Sequence, residues 1–164
     1  VKSLKQIGEI TKTISLIKSH MAVFTDEEQL LIRRAVQSAE HKTSGEIRVC
    51  IEQKCTEEVL DRAAKYFYKL EMDKTKLRNG VLIYLATVDR KFAIIGDAGI
   101  NKVVPPDFWD DVKQAMLEDF KYGKLVEGIT TGIKMAGQHL KKYFPHTAGN
   151  HNQLPDDIAF MDGD

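Results

Sequence analysis

The sequence is short of cysteine, has no excess of either charge and has no long apolar run, and each shortage narrows what the chain can be. Its two cysteines, Cys50 and Cys55, cannot build a disulfide framework. Cys50 falls inside a strand pattern and Cys55 just beyond it, so their side chains point in different directions. With no third cysteine and no histidine at ligand spacing, they read as ordinary thiols rather than zinc ligands. Lysine plus arginine total 24, as do aspartate plus glutamate, so there is no basic footprint for nucleic acid. No run has the length and apolarity of a transmembrane segment, and no secretory signal pattern opens the sequence; the expectation is a cytoplasmic protein. P-loop, G-x-S-x-G and H-E-x-x-H signatures are missing. His41 follows a helix pattern and His139 lies in one, and both read as surface residues rather than bases.

What is present fits one compact domain: 164 residues, 43% of them hydrophobic, are enough for a sizeable core. Residues 1–23 read as an accessory N-terminal segment. Leu4, Ile7, Ile10, Ile14 and Ile17 recur at helical spacing among Lys2, Lys5, Lys12 and Lys18, a pattern that suits a membrane surface or a docking partner. Gly8, Thr11 and Thr13 weaken that helix, and Met21 is a plausible initiator. The domain proper spans residues 24–144. Thr25-Asp26-Glu27-Glu28 forms a capping box, followed by an apolar face of Leu31, Ile32, Ala35, Val36 and Ala39. Thr43-Ser44-Gly45 stops this helix.

A strand follows in which Ile47, Val49 and Ile51 alternate with Glu46, Arg48 and Cys50. Thr56 is the expected cap of a second helix facing inward through Val59, Leu60, Ala63, Ala64, Phe67 and Leu70. Val81 to Ala86 is an unbroken apolar run, the mark of a strand covered on both faces, and Phe92 to Ile95 returns from it. Two helices follow, about 107–120 and about 124–143. Gly128 and Gly132 in the second imply close backbone approach to a neighbour. From Pro145 the chain is polar, and residues 145–164 are expected to be a disordered tail. The order helix-strand-helix-strand-strand-helix-helix specifies an α/β sandwich with a small mixed sheet. Its first two strands are joined by a helical crossover and run parallel.

That topology gathers polar residues at one edge. Glu46 opens the first strand, Asn79 precedes the second, and Asp97 closes the third. With a two-residue loop between Val88 and Lys91, Leu82 lies opposite Asp97 and Asn79 opposite Ile100. Asp107, Asp110 and Asp111 open the next helix. Together these are the oxygen ligands preferred by hard cations such as Ca2+ and Mg2+. Carboxylates ~4 Å apart repel by ~4 kcal/mol per pair at an effective dielectric of ~20, which a divalent cation relieves. The spacing is not that of an EF-hand. Each member also has a plain structural reading. Asp107 can be a helix cap, Asp110 and Asp111 can favour the helix terminus, and Asn79-Gly80 can be a bend. Gly96 and Gly99 can be turn residues, and Glu46 a solvated strand end.

Thr43-Ser44-Gly45-Glu46-Ile47-Arg48-Val49, Asn79-Gly80-Val81-Leu82-Ile83, the Gly-x-x-Gly of Gly96 to Gly99, and Phe120-Lys121-Tyr122-Gly123 with its following helix resemble the TPM domain family, in particular a soluble bacterial branch. The resemblance runs from about Phe24 to Phe144 through order and spacing. It implies an α/β/α sandwich, an acid-phosphatase activity and a divalent-metal groove mapping onto Asp97 and Asp107, with Asn79 beside them. The loop reads Gly-Asp-Ala-Gly-Ile where the family has a sequence close to Gly-Tyr-Gly-Leu-Glu. Two functions are therefore expected as rivals. One is a metal-dependent phosphatase acting on a phosphorylated substrate. There Asp97 and Asp107 ligate the metal, Asn79 orients substrate or water, and Glu46 or Asp110 is the base. The other is a non-catalytic module binding a cation and a protein partner in membrane-associated assembly or repair. A phosphate monoester is anionic, so bare carboxylates repel it and a bound cation is the necessary intermediary.

Overall fold

The computed structural model describes residues 24–148 and 153–161; the accessory segment expected over residues 1–23 lies outside them. Helix α1, Asp26–Glu40, starts where the sequence requires. Thr25 Oγ1 accepts the Glu28 N–H while the Glu28 carboxylate accepts the Thr25 N–H, so two otherwise unpaired amides are satisfied reciprocally. The chain continues through β1, Glu46–Glu52; α2, Val59–Lys69; β2, Gly80–Ala86; β3, Lys91–Gly96; α3, Ala98–Asn101; α4, Asp110–Lys121; α5, Leu125–Tyr143; and β4, Ala159–Phe160. The sheet order is β3-β2-β1-β4. β1 runs parallel to both β2 and β4, and β2 runs antiparallel to β3.

Alternation along the strands feeds two cores. Ile47, Val49 and Ile51 of β1 and Val81, Ile83 and Leu85 of β2 meet α1, α4 and α5 on one face. Cys50, Leu82 and Tyr84 meet α2 on the other, through Ala63, Tyr66 and Phe67. This is a three-layer α/β/α sandwich with a mixed, open sheet. Both cysteines are buried free thiols, and burial pushes the Cys50 thiol up to about 12. Helix α5 lies between α1 and α4, and its glycines are the contact points. A Cβ on Gly128 would stand 2.4 Å from the Phe120 ring, one on Gly132 2.5 Å from Met116 Sδ, and one on Gly137 2.8 Å from Ala39 Cβ. No helix among the described residues is long and apolar enough to cross a membrane.

Four expectations need correction. The β2–β3 connection has four residues, 87–90, rather than two, because Ala86 pairs with Lys91 and Leu82 with Ile95. The reason is that Thr87 and Val88 donate their N–H groups to Glu52 and Gln53 carbonyls at the end of β1 instead of continuing the hairpin, and Arg90 closes the turn at φ 55°. The slip is two residues, so every side chain keeps its expected face. Helix α2 is capped by the Glu58 carboxylate, not by Thr56, and Leu60 is exposed. Helix α4 opens at Asp110 rather than 107, because the Phe108 and Asp110 N–H groups close tight turns onto Pro105 and Asp107 carbonyls.

The tail also differs from the expectation of disorder over residues 145–164. Of the described residues there, 153–161 lie against the domain: Leu154 and Ala159 are buried, and β4 pairs Ala159 with Cys50 and Phe160 with Ile51. Without it, β1 would be an uncovered sheet edge over an apolar core.

Candidate functional site

The crossover does bring the expected strand ends to one edge. Glu46 pairs with Gly80, the Glu46 N–H donates to the Asn79 carbonyl at 3.3 Å, and the Asp97 N–H donates to the Gly80 carbonyl at 2.9 Å. Glu46, Asn79 and Asp97 are 2%, 1% and 5% exposed, so none of the three is a solvated strand end. Their backbones converge, but their side chains have different partners.

Asp97 caps the one-turn α3, accepting the Ala98 N–H on Oδ1 at 2.8 Å. It also takes the Arg78 guanidinium in a two-pronged pair, Nε to Oδ2 at 2.7 Å and Nη2 to Oδ1 at 2.8 Å. The Gly-x-x-Gly turn is what aligns them. The Gly99 N–H donates to the Arg78 carbonyl at 2.8 Å, and a Cβ on Gly99 would fall 2.1 Å from the Leu77 carbonyl oxygen. Only glycine lets the two backbones lie this close. Arg78 itself sits at φ 50°, an uncommon conformation for a residue with a side chain. Its side chain is 45% exposed while that of Asp97 is 4% exposed. The pair thus joins a buried carboxylate to a solvent-reaching cation.

Asn79 donates its N–H to Thr75 Oγ1 and its Nδ2 to Ser44 Oγ. Its Oδ1 is buried with no hydrogen-bond partner, a costly condition for a polar atom. Glu46 has other neighbours. Its Oε1 accepts the Gln153 N–H at 2.7 Å, and its Oε2 is buried without a well-formed hydrogen bond. Glu40 and Asp156 crowd the same spot. Burial, then the Asp156 and Glu46 carboxyls, pushes Glu40 up to about 10, and burial pushes Glu46 up as well. These three carboxyls, with His41 and His146, line a cavity of about 210 Å³.

The acidic start of α4 forms a third group. Asp107 is exposed and caps nothing, since the α4 N-cap is Trp109. Asp110 lies 3.8 Å from Lys113 in an exposed pair. Asp111 accepts the Val112 N–H and meets His139 Nε2 at 2.7 Å. His139 is therefore partnered, not an idle surface residue. The last turns of α5 cover the start of β1, with Leu140 Cδ1 3.1 Å from a Cβ built on Gly45, so Asp111 and His139 stand at the same end of the molecule. Among the described residues, no three His, Cys, Asp or Glu side chains are already placed to hold one metal ion. The sequence reading left Arg78 unplaced, near the site in sequence only, and missed Glu40 and Asp156. Arg78 carried a faint signal in preceding Asn79-Gly80, whereas Glu40 and Asp156 had none.

Comparison with known proteins agrees with this architecture. The family model described as TPM domain matches residues 17–139. The NMR structure of the BA42 protein from the psychrophilic bacterium Bizionia argentinensis is 47% identical, with a TM-score of 0.80 over 84% of this chain and 94% of that one. The N-terminal domain of a P. gingivalis protein, also solved by NMR, is 17% identical with a TM-score of 0.63 over 77% of this chain and 83% of that one, a likeness of fold alone. No curated protein matches.

Proposed function

The chain belongs to the TPM domain family, and from that premise we propose that it binds a divalent cation, Ca2+ or Mg2+, at the edge where β1 and β2 begin and β3 ends. The observation that carries this reading is the Arg78–Asp97 pair. A carboxylate buried this deeply needs a compensating cation, and the one it has is half exposed and able to swing into solvent. Asn79, next in sequence, offers a buried carbonyl oxygen that nothing satisfies. Asp97 and Asn79 supply hard oxygen donors of the kind such ions take. Asp107 is an exposed carboxylate able to join the set, and Asp110 and Asp111 would join by leaving Lys113 and His139.

When bound, a divalent cation neutralises an incoming phosphate and acidifies water. The chain's own part in phosphomonoester chemistry follows from its residues. Arg78, once off Asp97, presents a planar fork matched to a phosphate. Asn79 orients substrate or water. Glu46, with its carboxyl pushed up by burial, is suited to holding a proton.

The rival, a cation- and protein-binding module without catalysis, draws on a specific observation: Glu46, one of the two expected bases, is already engaged by Glu40, Asp156 and the Gln153 amide. Calorimetric titration with Ca2+ and Mg2+, and hydrolysis of a chromogenic phosphomonoester with and without them, separate the two. Binding with turnover lost in Asp97→Ala supports the phosphatase. Binding without turnover supports the module. No binding by the wild-type chain refutes both.

A further inference from the structure

At the end of the β2–β3 strands opposite Asp97 lies a cavity of about 530 Å³ that the proposed cation site does not use. It opens between the β2–β3 turn, the end of α4 and the start of α5. Its wall is apolar, made by Leu85, Phe92, Leu117, Phe120 and Leu125; Phe92 and Phe120 meet edge-to-face at 5.0 Å. Its volume is within the range of small-molecule sites, which are mostly apolar with a few placed polar groups.

The charged groups that line it have one sign. Arg90 and Lys121 line the cavity. Among the described residues Arg90 has no acidic partner, and Lys121 has a loose 3.9 Å approach to exposed Glu118. The acidic neighbour of Arg90 is turned elsewhere: Asp89 accepts the Cys55 N–H at 2.7 Å. Helix α5 also begins here without a side-chain cap, adding the positive end of a 19-residue helix to the field.

We propose that this cavity binds a medium-chain fatty acid, its alkyl chain against Phe92, Phe120 and Leu125 and its carboxylate at the mouth between Arg90 and Lys121. Charge complementarity selects this occupant. Residues 1–23 carry their own lysines, which the two cations would repel. A neutral hydrocarbon would leave the cations without a counterpart.

The test titrates the full chain with decanoate, octanoate and decanol while following leucine methyl signals. Shifts confined to Leu85, Leu117 and Leu125 are expected. Decanoate should bind roughly tenfold more tightly than octanoate, the effect of two further buried methylenes, and more tightly than decanol. The double variant Arg90→Glu, Lys121→Glu alters two exposed side chains and should weaken decanoate binding at least tenfold while sparing decanol. Leu117→Trp, at a position 38% exposed, should block the mouth to both. The proposal is overturned by equal affinity for decanol and decanoate, by shifts elsewhere, or by binding to anionic vesicles alone. Contacts showing the cavity already filled by residues 1–23 or by a second copy of the chain would overturn it too.

Discussion

Replacing Arg62 by methionine tests how the buried polar groups of the α2 layer are held. Glu52 ends β1 with its side chain 1% exposed. It accepts Arg62 Nε at 2.9 Å, Arg62 Nη2 at 3.0 Å and the Tyr66 hydroxyl at 2.8 Å, and the Tyr84 hydroxyl completes the set. Burial alone would push the Glu52 carboxyl up, but Arg62 and the two tyrosines outweigh it and hold the carboxyl below its usual range. Methionine keeps the length of the arginine stem and removes the charge, leaving a carboxylate in an apolar layer. Breaking one side of such a buried pair costs about 3–5 kcal/mol, a large share of the ~5–15 kcal/mol that holds a typical domain together. Urea unfolding followed by circular dichroism reads this directly. The double variant Glu52→Leu, Arg62→Met should recover only the part of the loss that comes from the stranded charge, because the buried Tyr66 and Tyr84 hydroxyls then lose their shared acceptor.

The pH dependence supplies a second check on the same residue. In the wild type the Glu52 carboxyl is depressed in the folded state, so its contribution is complete above its unfolded pKa of about 4.3 and is lost as pH falls through the folded value. In Arg62→Met burial is left opposed only by the tyrosines, the shift reverses, and the variant should gain stability on mild acidification. A single variant costing under about 1 kcal/mol, or one with the wild-type pH slope, would refute the argument.

Other consequences follow from the same contacts. Glu40, pushed up to about 10, contributes stability that is complete below the unfolded carboxyl value and declines as pH rises toward 10. Glu40→Gln should therefore flatten the melting temperature across pH 5–9 and raise it at the alkaline end. Gly99→Ala should cost about 1–3 kcal/mol or more, since its Cβ would meet backbone oxygen at 2.1 Å. Gly132→Ala meets the movable end of Met116 at 2.5 Å, and with about 1 kcal/mol of helix propensity recovered it should be close to neutral in chemical denaturation. Truncation after residue 152 should uncover Cys50, which pairs with Ala159. Its thiol should resist an aromatic disulfide reagent in the full chain, where it is buried, and label in the truncated one.

The layers of the fold were legible because each rests on a local rule. The capping box at Thr25, the alternation along Ile47, Val49 and Ile51, and the parallel crossover each follow from spacing. The glycines of α5 signalled close packing because no other role suits Gly128 and Gly132 within a helix. What escaped the sequence depends on partners distant in the chain. The hairpin register turned on residues 87 and 88 bonding to the end of β1. Strand β4 is two residues long, too short for any periodicity. The gathering of Glu46, Asn79 and Asp97 at one edge was legible from topology, whereas the separate directions of their side chains were not. The Arg78–Asp97 pair needed the left-handed conformation at 78 and the turn at Ala98, for which the sequence offers only Gly99 and the Asn79-Gly80 that follows Arg78.

The most direct test of the cation site is the Arg78 Nε–H resonance followed during titration with Ca2+ or Mg2+. In the free protein that proton is hydrogen-bonded to Asp97. The account predicts that saturating cation shifts it to a solvent-exposed value and moves the Asp97 carboxyl carbon and the Asn79 side-chain amide together, with one shared affinity. An Arg78 signal that stays fixed while a cation binds would contradict the exchange of guanidinium for metal on which the proposed function rests.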